Sequence, residues 1–493
     1  MPKFRLVKES PEAVACDLLA VAVFKDAKPG PGAAEVATLL GTTLKDLFAA
    51  ERISGNVGDC AVLSTVGHIA AKRVAFVGLG DKTAVTPFEI RRAGAVVARK
   101  AAGAKTVGTL VPAAASGNGT DAARAFAEGF LLGSYKFTRY KKASANGSKP
   151  VAVSDVLIAG MAKSAGIDKS LAAAQAVADG TVLARDLTNT PANDKSPVSL
   201  AQQARDIAKG TGMTVKVMDE KQLAAKGMNG ILGVGRGSPK PPRLIEINYK
   251  ATGAKKNIAI IGKGITFDSG GINLKTQGLD WMKMDMGGAA AVLGIMKAIA
   301  AIKPKVNVTA IICSAENMPG GNALHPGDVL DMYGGKTVEI GNTDAEGRLV
   351  MADGLALAAE RKKYHYILDM ATLTGACMVA LGPRCFGVMG NDDGLIQGLL
   401  GASKRAGELA WELPLIEDYR KMIDSDIADL KNIGGPYGGA ITAGLFLREF
   451  IGDHKWAHMD IAGPTKSESD EFEQPKGATG SGVRTVVEWL TSL

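Results

Sequence analysis

Residues 258–271 read IAIIGKGITFDSGG, and this stretch indicates the fold. The apolar run at 258–262 suits a buried strand, and Lys263 and Asp268 follow it directly. In open α/β sheets, ligands bind beyond the carboxyl ends of the strands. The stretch therefore predicts an α/β domain with a charged site where this strand ends.

Strand-like and helix-like segments alternate along the rest of the chain. Predicted strands cover residues 15–24, 73–79, 151–159, 244–249, 306–313 and 366–370. Predicted helices cover residues 88–102, 120–132, 170–187, 287–301, 351–363 and 440–451. This order is typical of α/β proteins. At 493 residues the chain is too long for one ordinary core, and we therefore expect two domains.

The expected domains differ in size and charge. We expect an N-terminal basic α/β domain at 1–165, a linking helix region at 166–184, and a larger catalytic α/β domain at 185–493 with a central mixed sheet flanked by helices. Residues 143–150 are the best loop or linker candidate. Residues 1–150 hold 21 Lys and Arg against 12 Asp and Glu, a net of +9, so the excess positive charge lies there. A basic face can attract nucleic acid, but we favour a solvated surface.

Composition narrows the class of protein. The chain is 46% hydrophobic and 22% charged, as expected of a soluble globular protein, and it has no apolar run long enough to span a bilayer. No signal-peptide pattern follows the basic start. The five cysteines are scattered and never in a CxxC spacing. These features predict a reduced, cytoplasmic protein without a membrane partner.

Carboxylates recur in the glycine-rich segments after the first stretch. Asp285 lies in MDMGG at 284–288, and Asp344 and Glu346 lie in NTDAEGRL at 342–349. Together with Asp268 they would be costly to bury unpaired. Two divalent metal ions fit that need best, because carboxylate oxygens suit Mg²⁺, Mn²⁺ and Zn²⁺. A salt-bridge network is the alternative.

The spacing of the second segment suggests how its side chains meet a ligand. Asp344, Glu346 and Arg348 lie at i, i+2 and i+4, which in extended backbone places all three on one face. Lys263 is unusual beside metals, since an ammonium repels them. A lysine next to two dications could instead lose its proton and coordinate as an amine.

These segments resemble the leucine aminopeptidase family of two-metal exopeptidases, also called cytosol aminopeptidases. The phrase NTDAEGRL is the hallmark of that family, and GKGITFDSGG is almost as specific. Further matching segments lie at 185–193, 233–238 and 369–376. The resemblance covers residues 180–493, whereas the N-terminal third is similar only in general character.

The resemblance implies roles for individual residues. One metal would be held by Asp268, Asp344 and Glu346, and the other by Lys263, Asp268, Asp285 and Glu346. Asp268 and Glu346 would bridge the two ions. Lys275 would polarise the scissile carbonyl, and Arg348 would hold a bicarbonate ion as general base. Met282, Thr372 and Leu373 match positions that line the pocket for the first side chain and hold the substrate backbone.

The resemblance also implies the reaction and the assembly. A hydroxide bridging two divalent metals, Mn²⁺ or Zn²⁺ with Mg²⁺ as a further option, would hydrolyse the N-terminal peptide bond of peptide substrates, with leucine and similar apolar residues preferred. The family implies a cytoplasmic homohexamer. The stretch 276–284 is one residue shorter than is usual in the family, and Thr276 stands where proline is common. This departure bears on specificity more than on chemistry.

Two other functions fit parts of the sequence. The basic N-terminal domain could bind DNA in addition to the peptidase activity, as some bacterial members of the family do. A metal-dependent phosphoesterase could also use paired carboxylates. A lysine ligand and the lack of paired histidines count against the phosphoesterase.

Overall fold

A computed structural model describes residues 2–142 and 152–493 of the chain. The chain divides into two compact units, Met1–Ala178 with Ser469–Lys476, and Asp179–Glu468 with Gly477–Leu493. Each unit contains a β-sheet and helices, which confirms the predicted two-domain α/β class. The linker expected at 143–150 lies outside the described residues.

The first unit is built on one mostly parallel sheet. Its strands are β1 Lys3–Leu6, β2 Leu18–Phe24, β3 Lys28–Pro29, β4 Cys60–Ser64, β5 Arg73–Gly78, β6 Thr106–Thr109 and β7 Asp155–Ile158. Its helices are α1 Ala33–Leu39, α2 Leu44–Glu51, α3 Pro87–Lys100 and α4 Gly119–Gly133, and α5 Ala165–Asn189 runs on into the second unit. The strand order is β1-β7-β6-β2-β5-β4, with β3 paired to β2. All seven residues of β2 are buried, because alternate side chains pack into separate cores on the two faces of the sheet.

The second unit is larger. Its strands are β8 Thr214–Met218, β9 Arg243–Tyr249, β10 Asn257–Asp268, β11 Asn307–Asn317, β12 Val329–Asp331, β13 Thr337–Glu339, β14 Tyr366–Ala371, β15 Cys385–Gly390, β16 Leu409–Glu412, β17 Leu430–Lys431, β18 Trp456–Asp460, β19 Lys466–Ser467 and β20 Gly477–Ala478. Its helices are α6 Pro197–Ala208, α7 Glu220–Ala225, α8 Asn229–Gly235, α9 Gly287–Ile302, α10 Glu346–Glu360, α11 Gly375–Leu381, α12 Asp393–Ala406, α13 Gly439–Arg448 and α14 Val483–Ser492.

The central sheet of the second unit is mixed, as the sequence predicts. Its order is β16-β15-β18-β14-β10-β11-β9-β8. Strands β18, β14, β10 and β11 run parallel, and β9 and β8 continue the sheet in antiparallel pairing. The carboxyl ends of β10, β11 and β14 therefore meet at one edge, where ligands bind in such sheets.

Two local expectations were wrong. Strand β10 does not stop at 262 but continues to Asp268, because its pairing with β11 persists through Ile265 and resumes at Asp268 after a register shift. Glu346 and Arg348 are not in extended backbone, because helix α10 already begins at Glu346. A carboxylate in the first turn of a helix is favoured by the partial positive charge of the helix N-terminus.

One stretch among the described residues, Leu279–Ile302, is long and apolar enough by length and composition to cross a membrane. It contains α9, and 78% of its most apolar window is buried within the protein. Buried core helices of globular proteins meet the same criteria, so the stretch is weak evidence for a membrane span.

Candidate metal centre

Lys263 brings together segments that are far apart in the sequence. Its Nζ lies 2.8 Å from both carboxylate oxygens of Asp285 and 2.9 Å from Oε1 of Glu346. It also donates to the backbone oxygen of Thr372 at 2.8 Å. The lysine side chain is only 3% exposed, so this ammonium is compensated by the protein and not by water.

Three predicted metal ligands form a compact group of oxygen atoms. One carboxylate oxygen each from Asp268, Asp344 and Glu346 lies within 4.8 Å of the other two. Lys275 Nζ lies 2.8 Å from Oδ2 of Asp268 and 2.7 Å from Oδ1 of Asp344. Asp285 joins this group through Lys263, so all five predicted ligands and Lys275 belong to one network.

Negative charge exceeds positive charge in this network. Four carboxylates face only two lysines. Burial and the nearby Glu346 carboxylate raise the pKa of Asp268 to about 6, and burial also raises the pKa of Asp285 and Asp344. Burial acts upward on Glu346 as well, but Lys263 and Lys275 hold its pKa below the usual value. Ionised carboxylates this close together repel one another, and two lysines do not neutralise all four, so further cations are needed.

The donor set fits divalent metal ions. Glu346 Oε2 is buried and has no hydrogen-bond partner among the described residues. A buried carboxylate oxygen without a partner is costly, whereas a metal ion would satisfy it. The oxygens of Asp268 and Asp344 add hard donors of the kind that Mn²⁺, Zn²⁺ and Mg²⁺ accept.

Asn317 orients Asp268 and was not identified from the sequence. Its Nδ2 donates to Oδ1 of Asp268 at 2.8 Å and to the backbone oxygen of Thr343 at 3.1 Å. The backbone N–H of Gly270 donates to the same oxygen of Asp268 at 3.0 Å. The sequence offered only one indication of this role, namely the position of Asn317 at the end of the strand that pairs with β10.

Gly270 could not be replaced without disturbing this corner. Its φ is +89°, a conformation that side chains disfavour, and an added Cβ would lie 2.3 Å from the backbone oxygen of Asn273. The same Cβ would lie 2.8 Å from Oδ1 of Asp344. The glycine therefore permits the close turn that carries the chain from Asp268 toward Lys275, whose N–H donates to the oxygen of Ser269.

Arg348 lies apart from the ion pairs of this network. It is 8% exposed, and its Nε and Nη1 are buried without a hydrogen-bond partner among the described residues. Burial lowers its pKa to about 10, although Glu346 and Asp460 act in the opposite direction. A buried guanidinium with two unused donors fits a small planar anion.

The three predicted substrate-binding residues occupy different positions. Thr372 is buried in the network, since its Oγ1 donates to Oδ1 of Asp285 at 2.8 Å. Leu373 is half-buried, and its N–H donates to Asp460 at 3.3 Å. Met282 is half-buried in a 3₁₀ turn, Leu279–Met284, and its backbone oxygen accepts from the N–H of Asp285.

The chain matches the models of both domains of one protein family. The model of the cytosol aminopeptidase family, catalytic domain, matches residues 182–487, and the model of its N-terminal domain matches residues 20–144. The chain is 40% identical over 499 residues to a probable cytosol aminopeptidase of Geotalea uraniireducens, covering 100% of both chains. It is 48% identical over 450 residues to a probable cytosol aminopeptidase of Streptomyces avermitilis, covering 88% of this chain and 86% of the relative.

Two solved structures show the same fold. A mutant of tomato leucine aminopeptidase matches with a TM-score of 0.90 and 34% identity, covering 100% of this chain and 97% of that one. The bottromycin maturation enzyme BotP, solved in complex with Mn, matches with a TM-score of 0.86 and 34% identity, covering 97% of this chain and 99% of that one.

Proposed function

The chain belongs to the cytosol aminopeptidase family and is a peptidase, and from that premise we propose that it is a leucyl aminopeptidase that uses two divalent metal ions. The observation that supports the proposal most strongly is the meeting of Asp268, Asp344 and Glu346 within 4.8 Å beside the buried Lys263. Leucine and similar apolar residues would be released from the N-terminus of peptides.

The metal ions would be held by the five residues of the network. Asp268, Asp344 and Glu346 would hold one ion, and Lys263, Asp285 and the bridging Asp268 and Glu346 would hold the other. When bound, such a pair of ions polarises a carbonyl group and lowers the pKa of water. Mn²⁺ is the first ion to test, because the related BotP was solved with Mn.

Lys275 is suited to act on the substrate carbonyl. Its side chain is 20% exposed, whereas that of Lys263 is 3% exposed, so Lys275 is the more accessible of the two lysines. A fixed ammonium donating to the developing oxyanion stabilises the transition state. Arg348 would hold bicarbonate, whose basic oxygen supplies general-base chemistry.

Asp285 accounts for the requirement of a free N-terminus. Its carboxylate would receive the substrate α-amino group, while Thr372 and Lys263 fix its orientation through the bonds described above. Met282 lies three residues before Asp285, and Leu373 follows Thr372, whose hydroxyl donates to Asp285. Both are half-buried apolar side chains, and they would contact the first side chain of the substrate. Such contacts would favour leucine-like residues.

The cellular setting is also a proposal. The relatives named above are called cytosol aminopeptidases, which supports a cytoplasmic location. Large exposed apolar side chains of the second unit, Val379 at 86%, Trp411 at 67% and Tyr437 at 79%, support assembly into the homohexamer that the resemblance implies. Light scattering coupled to gel filtration tests this assembly, and a monomer at all concentrations would end the hexamer proposal.

Binding of DNA by the basic first unit stays a separate hypothesis. The relatives named above carry aminopeptidase names only and do not support it. A mobility-shift experiment at graded salt tests it, because binding through phosphate contacts weakens steeply as salt rises. The absence of a shift at low ionic strength would exclude it.

The peptidase proposal is tested with a series of chromogenic amides. The enzyme should release p-nitroaniline from leucine p-nitroanilide faster than from the alanine and lysine analogues. It should leave N-acetyl-leucine p-nitroanilide intact, because the acetyl group removes the α-ammonium that Asp285 would bind. Cleavage of the blocked and free substrates at equal rates would refute the role of Asp285 and the exopeptidase assignment.

A further inference from the structure

Lys195 is a buried lysine outside the metal network. It lies in the connection between α5 and α6, and it is 2% exposed. Its Nζ donates to two backbone oxygens, that of Leu187 at 3.0 Å and that of Lys283 at 2.6 Å. These two oxygens belong to segments almost one hundred residues apart, so the ammonium links the two segments through hydrogen bonds.

No carboxylate lies within ion-pair distance of this ammonium among residues 2–142 and 152–493. Burial, with the positive charges of Lys283 and Lys240, lowers its pKa to about 7, and Asp285 acts in the opposite direction. A buried ammonium held only by carbonyl oxygens is costly. An ammonium carries three donor hydrogens, so it can donate to both carbonyl oxygens at once, and these bonds offset part of that cost.

The segment that Lys195 holds leads directly into the metal network. Lys283 lies in the turn Leu279–Met284, which carries Met282, and Asp285 is the next residue after that turn. Within the turn, the N–H of Asp285 donates to the oxygen of Met282 at 3.3 Å. A displacement of the Lys283 carbonyl would therefore move both the carboxylate at 285 and the side chain at 282.

The connection that carries Lys195 is itself fixed. Lys240 Nζ donates to the backbone oxygen of Ala192 at 2.6 Å and to that of Lys195 at 3.4 Å. Lys240 is also paired with Glu316 at 2.7 Å. Glu316 immediately precedes Asn317 at the end of β11, which orients Asp268. Lys195 thus connects the turn Leu279–Met284 to the end of β11, where Asn317 orients Asp268, another predicted metal ligand.

We propose that Lys195 is a positioning residue of the aminopeptidase. Its ammonium donates to the backbone oxygens of Leu187 and Lys283 and so holds the turn Leu279–Met284 in place. The position of this turn determines where Asp285 and Met282 lie. The inference rests on the proposed function, because it assigns the turn to the metal site and to the pocket for the first substrate side chain. It adds a residue that the family motifs quoted above do not contain.

The first test compares Lys195→Met, which keeps the length of the side chain, with Lys195→Gln, which keeps an uncharged donor. Lys297, exposed on α9 in the same unit, supplies the control Lys297→Met. Hydrogen–deuterium exchange of the metal-free proteins should show faster exchange at 279–286 in Lys195→Met, less change in Lys195→Gln and none in the control. Unchanged exchange in all three would overturn the proposal, whether or not the enzyme is an aminopeptidase.

The second test is kinetic. Lys195→Met should lower kcat/KM for leucine p-nitroanilide by about 10–100-fold, the range for residues that orient metal ligands, and should narrow the preference for leucine over alanine. Ethylammonium should restore part of the activity of Lys195→Ala, because it can enter the space left by the side chain and bind the two carbonyls. It should not change the control. If Lys195→Met keeps the wild-type kcat/KM and the wild-type preference for leucine, the proposal is overturned. If the wild-type enzyme is itself inactive, the proposed function is contradicted, and the hydrogen–deuterium exchange experiment alone decides whether Lys195 positions the turn.

If Lys195→Met does not fold, Lys195→Gln carries both tests. Circular dichroism and gel filtration establish which variants are folded. A folded Lys195→Gln with wild-type exchange at 279–286 and wild-type kinetics would likewise contradict a positioning role for the charge.

Discussion

Replacement of Asn317 by alanine tests whether the hydrogen bond to Asp268 prepares the metal site. The change removes a bond of 2.8 Å to a buried carboxylate and one of 3.1 Å to the oxygen of Thr343. A bond to a charged group contributes about 1.5–3 kcal/mol, and a neutral one about 0.5–1.5 kcal/mol. The Asn317→Ala protein should therefore lose about 2–4 kcal/mol of unfolding free energy.

The same change should also weaken metal binding, because Asp268 loses a hydrogen bond that orients its carboxylate. Loss of a residue that orients a metal ligand typically lowers metal affinity by about 10–100-fold, so the Kd for Mn²⁺ should rise by that factor. Calorimetric titration of the metal-free protein with Mn²⁺ measures this Kd directly, and kcat/KM at subsaturating metal should fall by a similar factor.

Asn307, at the opposite end of the same strand, provides a matched control. Its Nδ2 donates to Asn257 at 2.8 Å, and its Oδ1 accepts from the N–H of Ala251 at 3.0 Å. Asn307→Ala should lose about 1–3 kcal/mol of stability for its two neutral bonds and keep the wild-type Kd for Mn²⁺. Equal Kd values in Asn317→Ala, Asn307→Ala and the wild type would refute the argument that Asn317 orients a metal ligand.

Three further changes address charge, space and pH. Asp344→Asn should leave the metal-free protein at least as heat-stable as the wild type, because it removes one of four crowded carboxylates. Its kcat/KM should nevertheless fall by more than about 100-fold. A metal-free variant that melts at a lower temperature would contradict the argument that the carboxylates repel one another. In Gly347→Ala the added Cβ would lie 2.5 Å from Cε and 2.7 Å from Nζ of Lys263, so kcat/KM should fall by about 10–100-fold, and an unchanged value would show that Lys263 can move freely. A hydrogen bond from Lys72 and two from backbone N–H groups lower the pKa of Asp17 from 3.8 to about 2. The ionised Asp17 carboxylate therefore stabilises the folded protein above pH 3.8, and this contribution is lost as the pH falls toward 2. Asp17→Asn should cost about 1 kcal/mol at neutral pH, and thermal melts should show this deficit shrinking in acid, whereas a deficit independent of pH would be evidence against the assignment.

Much of the site was accessible from the sequence because its charged residues are clustered in short motifs. The four carboxylates and Lys263 occur in three glycine-rich segments, and the cost of burying them unpaired already indicates cations. The apolar core of β10 likewise predicted a strand followed by a site. The structure places the five predicted ligands and Lys275 in one network.

The backbone around the motifs was less accessible. The polar end of β10 has no apolar run to mark it, but backbone pairing with β11 does not depend on side-chain hydropathy, so the strand continues through Lys263. The start of α10 was missed for a related reason. Alternating charged and small residues at 344–348 suggested extended backbone, whereas a carboxylate at 346 also suits the first turn of a helix.

Residues that act through distant contacts could not be identified from spacing. Asn317 lies 49 residues from Asp268, and Lys195 lies 88 residues from Lys283. Neither belongs to a motif, and only the arrangement of the strands and the turn brings each to its partner. Their importance follows from burial and hydrogen bonding, which a single sequence does not display.

We propose that the aminopeptidase activity of this chain requires two metal ions. The most direct test is to titrate the metal-free protein with Mn²⁺ while recording both bound metal and the release of p-nitroaniline from leucine p-nitroanilide. We predict no activity without metal and a maximum when two ions are bound per chain. Full activity in metal-free protein, or a maximum at one ion with no second binding event, would contradict it.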